Sequence, residues 1–459
     1  MKKTIVVVSC CLLILCGCKT TMHNGKNGAT AQIDNEIKTS ATSLKFKALS
    51  DSTAEVIRND SYKNLDTITI PDRVQIDGNV YVVTSVGEHA FDGCEKLKRL
   101  NMPSNITEIK DAAFWGCGLT SVVIPPNVSG IGAYAFTHCL NLEYIEIPPS
   151  VTTIGDSSFD MCYNLQTINV ASDNSFYSSM DGVLYDKKKS IIIRVPPQIS
   201  GDFVIPLSVT KIEQDAFGNC EKITSVKMPS NLTSIGEKAF FRCKSLKDIE
   251  SPQNVTYIGS DVFWECVSLT RVELPSGIKN IYHGLFYGCS RLSNVVIPHG
   301  VTLIDELAFS KCSSLTNIVI PNTVRAISSS AFMDCTELTA IDLPLSIEYI
   351  QGRAFKNLKS FRNPHLLIYN NGTKCYGWIG DEDECTKIVI PNGVKEIGDN
   401  AFVGCEMLEY VEIPESVSVI QNYAFDNCEN LDVVIHNSEE NVKVGFGAFG
   451  RCKSVKYTK

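Results

Sequence analysis

The chain reads as a repeat solenoid, and three observations predict that class. Phe-x-x-Cys is written thirteen times between Phe91 and Cys452, mostly 22 to 24 residues apart, and Phe355 keeps the period with Leu358 in the cysteine slot. Between copies the same apolar positions return, as in Leu292-x-x-Val295-x-Ile297, Val301, Ile304, Ala308 and Phe309. A proline column runs through the repeats, including Pro103, Pro125, Pro148, Pro229, Pro298, Pro321 and Pro414. A constant period of this length marks units that stack in one direction around a continuous core.

Each piece of the unit has a physical reading. Leu-x-x-Val-x-Ile ends in period-2 alternation, the pattern of a short strand with one buried face. Pro closes that strand, because it cannot donate to a ladder. The slot after the second Ile holds Gly132, Gly155, Gly236, Gly259 and Gly398, but also Lys110, Glu213, Tyr282, Asp305 and Gln351. A glycine-only backbone conformation is therefore not expected there. Ala-Phe-x-x-Cys is expected to make a tight helical turn that drops Phe into the core. A single unit buries too little to offset its ordering entropy, so only stacking stabilises it.

The pattern Leu-x-x-Ile-x-Ile-Pro-x-x-Val-x-x-Ile-Gly-x-x-Ala-Phe-x-x-Cys resembles the 23-residue leucine-rich repeat of BspA-like bacterial surface proteins. The resemblance covers roughly Tyr81 to Lys459 and, in degenerate form, reaches back to about Phe46. It implies a leucine-rich repeat fold of stacked short parallel β-strands with tight helical turns, forming a curved rod. Two irregular coils interrupt the period, at about 171–205 and 359–387, and are read as bulges in one solenoid spanning 44–459.

The start of the chain carries Lys2 and Lys3, then an apolar run from Ile5 to Leu15 that is too short to span a bilayer, as in a secretory signal. Leu15-Cys16-Gly17-Cys18 resembles a bacterial lipobox, which implies a signal peptide over 1–17, lipidation at Cys18 and membrane attachment through that lipid; a plain signal peptide is the alternative. Residues 18–43 are polar and suit a flexible tether. No acid follows Cys18 before Asp34, so surface display and a periplasm-facing outer-membrane lipoprotein both stay open. The net charge is −9 and no basic residues cluster, which excludes nucleic acid as the expected partner.

Nineteen cysteines in an exported chain would usually suggest a disulfide framework. Thirteen lie in one column, however, where stacked side chains sit about 4.8 Å apart and parallel, whereas disulfides need converging Cβ atoms at about 3.5–4.5 Å. The column is expected to hold free thiols acting as small hydrophobes. Cys375 and Cys385 flank the acidic run Asp381-Glu382-Asp383-Glu384 and are expected to pair.

Signals of chemistry are weak. Gly445-x-Gly447-x-x-Gly450 matches a dinucleotide fingerprint, but it overlaps the repeat consensus and too little chain follows for a βαβ unit. Asn105, Asn127, Asn231 and Asn254 begin Asn-x-Ser/Thr triplets that recur because the repeat does. The acidic run lacks EF-hand spacing. No His-Glu-x-x-His or Gly-x-Ser-x-Gly occurs, so no cofactor, metal or enzymatic activity is expected.

What remains is the outward face of the strands. Two rows project from it, and the candidate binding residues are Tyr144, Glu146, Asp248, Glu250, Arg271, Glu273, Val296, Val319 and Asp342. A solvated polar face is the plain alternative. The resemblance implies an adhesin-like binding protein whose partner is a protein or glycan, host extracellular matrix included. A periplasmic or envelope scaffold is the other reading. A monomer is expected, with Lys453, Lys456 and Lys459 blunting the last edge.

Overall fold

Each coil contributes two strands and an arch. In the coil that ends at Cys312, Asn294–Val296 forms the longer strand and Leu303–Ile304 the shorter. Both pair in parallel with their equivalents in adjoining coils: Arg271 faces Asn294, and Leu303 faces Ala326. Leu292, Val295, Ile297, Val301, Ile304, Ala308, Phe309 and Cys312 are all buried. Period-2 alternation thus puts one side of each strand in the core and leaves the other free. The proline column also opens a turn: the Pro298 carbonyl accepts the Val301 N–H at 3.4 Å, and Pro125 does the same for Val128 at 3.1 Å. The computed structural model describes residues 44–250, 252–362, 365–369, 371–380 and 384–459, with Glu250 by its backbone only. The segments 1–17 and 18–43, the Cys18 lipidation, and Asp381 to Asp383 lie outside the described residues. Leu44–Lys459 forms one compact unit.

The expected helical turn is not a helix. In Leu307-Ala308-Phe309-Ser310-Lys311 the first and last residues are left-handed, at φ 59° and 61°, and Ser330 and Asp334 repeat this at 56° and 61°. Two such residues in five break any α-turn. The arch gains something instead: alternate N–H groups point along the stack. Leu307, Phe309 and Lys311 donate to the carbonyls of Ser329, Ala331 and Met333 in the next coil, at 3.2, 2.8 and 2.8 Å. The arches therefore form a third side of inter-coil hydrogen bonds. Gly, Asn or Asp often fills the slot before Cys, as at Gly93, Gly116, Asn219, Gly288 and Asn427. That preference is the sequence trace of the left-handed backbone.

Two columns fill the core under the arches. The phenylalanines stack face to face, for example Phe309 on Phe332 at 5.2 Å and Phe332 on Phe355 at 5.4 Å. The cysteines do more than pack. The Cys312 thiol donates to the Phe286 carbonyl at 3.2 Å, Cys289 to Phe263 at 3.0 Å, and Cys117 to Phe91 at 3.1 Å. Each such carbonyl already accepts the N–H of its own cysteine, so the thiol uses its second lone pair. A weak buried donor explains cysteine better than small size alone. Burial pushes the Cys220 and Cys266 thiols up to about 12.

The glycine slot behaves as expected in one respect. Gly132, Gly155, Gly236 and Gly259 are not left-handed. The reason for glycine is close approach: a Cβ on Gly132 would sit 2.5 Å from the Asp111 nitrogen, and one on Gly236 would sit 2.6 Å from that of Gln214. The Asn-x-Ser/Thr triplets are rungs too. Asn127 Nδ2 donates to the Ser104 carbonyl at 2.9 Å and Asn254 Nδ2 to Ser230 at 2.7 Å.

Both irregular coils are antiparallel hairpins inserted into a parallel stack. At the first, Tyr177–Met180 pairs with Val183–Asp186, which pairs with Ile191–Arg194, which rejoins the stack in parallel at Lys211–Ile212. At the second, His365–Tyr369 pairs with Lys374–Ile379, and Lys374 and Cys375 then face Glu396 and Ile397 in parallel. The buried core changes cluster at these same places. Cys375 and Cys385, the expected pair, both lie in the core of the second irregular coil. Cys375 is a buried thiol in the column of the second Ile, facing Ile397, and Cys385 occupies the leucine column, 23 residues before Leu408. Each fills a core slot of its own coil.

Candidate binding faces

The outward rows fall where the alternation puts them. Ser121, Tyr144 and Thr167 face one another across neighbouring coils, as do Val123, Glu146 and Asn169. In a second ladder Ser225, Asp248, Arg271 and Asn294 align, beside Lys227, Glu250, Glu273 and Val296. A third pairs Asn317 and Val319 with Ala340 and Asp342. The structure thus brings Asp248, Glu250, Arg271, Glu273 and Val296 into one hydrogen-bonded ladder. It leaves Tyr144 and Glu146 on the far side of the first irregular coil.

Charge along the second ladder is mixed. Asp248 faces Arg271, a favourable pair, and the backbone of Glu250 is in register with Glu273. Arg271 Nη2 approaches Glu273 Oε2 at 3.9 Å on the same strand, both groups well exposed, a contact worth little in water. The Tyr144 hydroxyl donates to Glu146 at 3.0 Å, and partial burial raises its pKa. Val296 and Val319 are 50% and 74% exposed. β-branched apolar side chains standing in water on a rigid sheet are the feature of this face that folding does not require.

Further surface groups join these. Val204 and Asp202 extend the second ladder, facing Lys227 and Ser225. The sequence hides them because the irregular coil lacks the Leu-x-x-Ile-x-Ile motif. Tyr410 and Glu412 repeat the Tyr144–Glu146 arrangement, with Lys387 Nζ 4.9 Å over the Tyr410 ring and His436 Nε2 2.8 Å from Glu412. The arches carry an outer aromatic row. Phe241 stacks on Trp264 at 6.4 Å and Trp264 on Tyr287 at 3.8 Å, while Lys311 Nζ lies 2.5 Å from the Tyr287 hydroxyl. The signal for that row was present: an aromatic follows the core Phe in three successive repeats. Among the described residues no cluster of three or more His, Cys, Asp or Glu side chains is arranged to hold a metal ion.

Comparison with known proteins bears on the fold first. A leucine-rich repeat protein from Eubacterium ventriosum is similar over 72% of this chain and 97% of its own, at 26% identity and a TM-score of 0.61. A leucine-rich cell surface protein from Faecalibacterium prausnitzii matches 69% of this chain and 95% of its own, at 28% identity and a TM-score of 0.42. A leucine-rich repeat protein from Bacteroides ovatus matches 91% and 92%, at 25% identity and a TM-score of 0.42. None of the curated proteins compared matches the chain. The model of the BspA type leucine rich repeat region matches residues 55–180, 200–313, 258–370 and 380–459, in six copies. The chain belongs to the BspA-type leucine-rich repeat family.

Proposed function

We propose that the chain is a non-enzymatic, cell-surface protein-binding module, lipid-anchored at Cys18 and adhesin-like, that engages its partner through the outward sheet face. One observation carries this reading: the ladder Asp248, Arg271, Glu273 and Val296 sets charges of both signs beside an exposed apolar side chain on a rigid surface. Solenoids use such extended faces for partners, and binding energy concentrates in a few arginine, aromatic and apolar anchors. A protein partner of mixed charge with an apolar centre fits this face. An envelope scaffold facing the periplasm is the second reading, favoured by the absence of acid in the residues that follow Cys18.

Location and anchor are tested together. Protease shaving of intact cells removes a surface protein and spares a periplasmic one. Cys18→Ala releases the chain from the detergent phase if Cys18 is acylated; unchanged partitioning refutes the anchor.

A further inference from the structure

The first irregular coil leaves a cleft of ≈ 190 Å³ between the arch that ends at Cys162 and the one that begins at Glu213. In the regular stack an arch receives backbone N–H groups from its neighbour: Phe136 donates to the Ser158 carbonyl at 2.9 Å. Here Arg194 substitutes for part of a missing arch. Its guanidinium donates to the Asp215 and Gly218 carbonyls and pairs with Asp160 at 3.0 Å, while the side chain is only 4% exposed. Its Nε–H is buried and has no partner. The Tyr177 hydroxyl, also on the cleft wall, accepts the Ile154 N–H at 2.9 Å, which leaves its own proton to donate.

We propose that this cleft is a binding site for a neutral polyhydroxylated ring, the terminal sugar of a glycan being the natural example. The chemistry of the walls selects against the alternatives. An anion would meet Asp160, with Asp156 and Glu213 at the lining as well. A cation would sit beside the buried Arg194 guanidinium, and Asp160 and Glu213 already pair with Arg194 at 3.0 Å and Lys211 at 2.6 Å. A hydroxyl accepts from the Tyr177 O–H and donates to a carboxylate through the same oxygen, and neighbouring hydroxyls on one ring repeat that match. Phe159, Tyr177 and Ile193 supply apolar surface for the C–H face of such a ring. The volume lies below the roughly 300 Å³ at which drug-sized pockets begin, so one ring enters and an oligomer does not. This site is separate from the sheet face, and either can fail alone.

The test is saturation-transfer NMR on the Leu44–Lys459 unit with glucose, galactose, mannose and N-acetylglucosamine, and with sodium sulfate and lysine as competitors. The rim variant Asp156→Asn/Glu213→Gln alters cleft carboxylates while leaving Arg194 and Asp160 in place. Transfer to at least one sugar is expected, weakened at least tenfold in the rim variant and unchanged in Arg271→Ala. No transfer to any of the four sugars, equal transfer in the rim variant, or displacement by sulfate or lysine would overturn the proposal.

Discussion

Replacing Asp215 by Asn should stabilise the solenoid near neutral pH and do little in acid. Burial and the nearby Asp160 carboxylate push Asp215 up to about 6, against the pull of Arg194 and Lys238 and a hydrogen bond from Gln214. The unfolded carboxyl titrates near its ordinary 3.8. Between these values the native state keeps a proton that the unfolded state has released, so stability falls as pH rises through that window. A displacement of about two pH units, at about 1.4 kcal/mol per unit, sets a ceiling of about 3 kcal/mol by pH 7.5. Asparagine stays neutral, keeps the hydrogen-bonding shape and tolerates the left-handed backbone at φ 54°. Urea denaturation of the variant beside the parent chain at pH 4 and pH 7.5 reads the difference, with other carboxylates cancelling. A gain of about 1–3 kcal/mol at pH 7.5 that vanishes at pH 4 is expected. An equal gain at both pH values, or none at pH 7.5, refutes the reasoning.

Further predictions address the core, the arches and the exposed rows. Cys289→Ala removes a thiol donor and leaves a void beside Phe263, and should cost about 1–3 kcal/mol in chemical denaturation; a neutral result would mean that the thiol–carbonyl contact is idle. Alkylation of the native chain should leave Cys220 and Cys266 unlabelled until unfolding, because burial suppresses their thiolates. Leu307→Gly should raise the melting temperature and Gly288→Ala lower it, each by the equivalent of about 1 kcal/mol, since both positions are left-handed at φ 59° and 69°. Tyr144→Ala and Arg271→Ala should each change stability by no more than about 0.5 kcal/mol, which calorimetry resolves, because neither side chain enters the core.

The fold was legible because a repeat multiplies weak signals. A single Leu-x-x-Val-x-Ile stretch is ambiguous, but the same stretch recurring beside Pro and Phe-x-x-Cys specifies parallel strands and a continuous core. The arch was misread as helical because Ala-Phe-x-x-Cys carries helix-compatible spacing; the opposing signal lay in Gly288, Asn219 and Asn427, residues that favour a left-handed backbone. The cysteine column was read by volume, and its hydrogen bonds could not be seen until the Phe carbonyl of the preceding coil was placed beside each thiol. Cys375 and Cys385 flank an acidic run in sequence, and the second irregular coil obscures the register that puts each in an apolar column. The candidate face followed from alternation alone. Its division did not, since only the inserted hairpins separate Tyr144 and Glu146 from Arg271 and Glu273. The cleft takes Tyr177, Ile193 and Arg194 from the first irregular coil, where periodicity gives no guide to what they face.

The sheet face as a protein-binding surface is tested most directly by paired capture. The Leu44–Lys459 unit and its Arg271→Ala/Glu273→Gln/Val296→Ser variant are immobilised at equal density, both shown by calorimetry to be folded. They are then exposed to host mucosal extract, and captured proteins are quantified by mass spectrometry, with the affinity of the most enriched protein measured afterwards on purified material. At least one protein should bind the parent tightly and the variant at least tenfold more weakly, a loss of about 1.4 kcal/mol or more. Equal binding of that purified protein to both would contradict the assignment of the binding surface to this ladder.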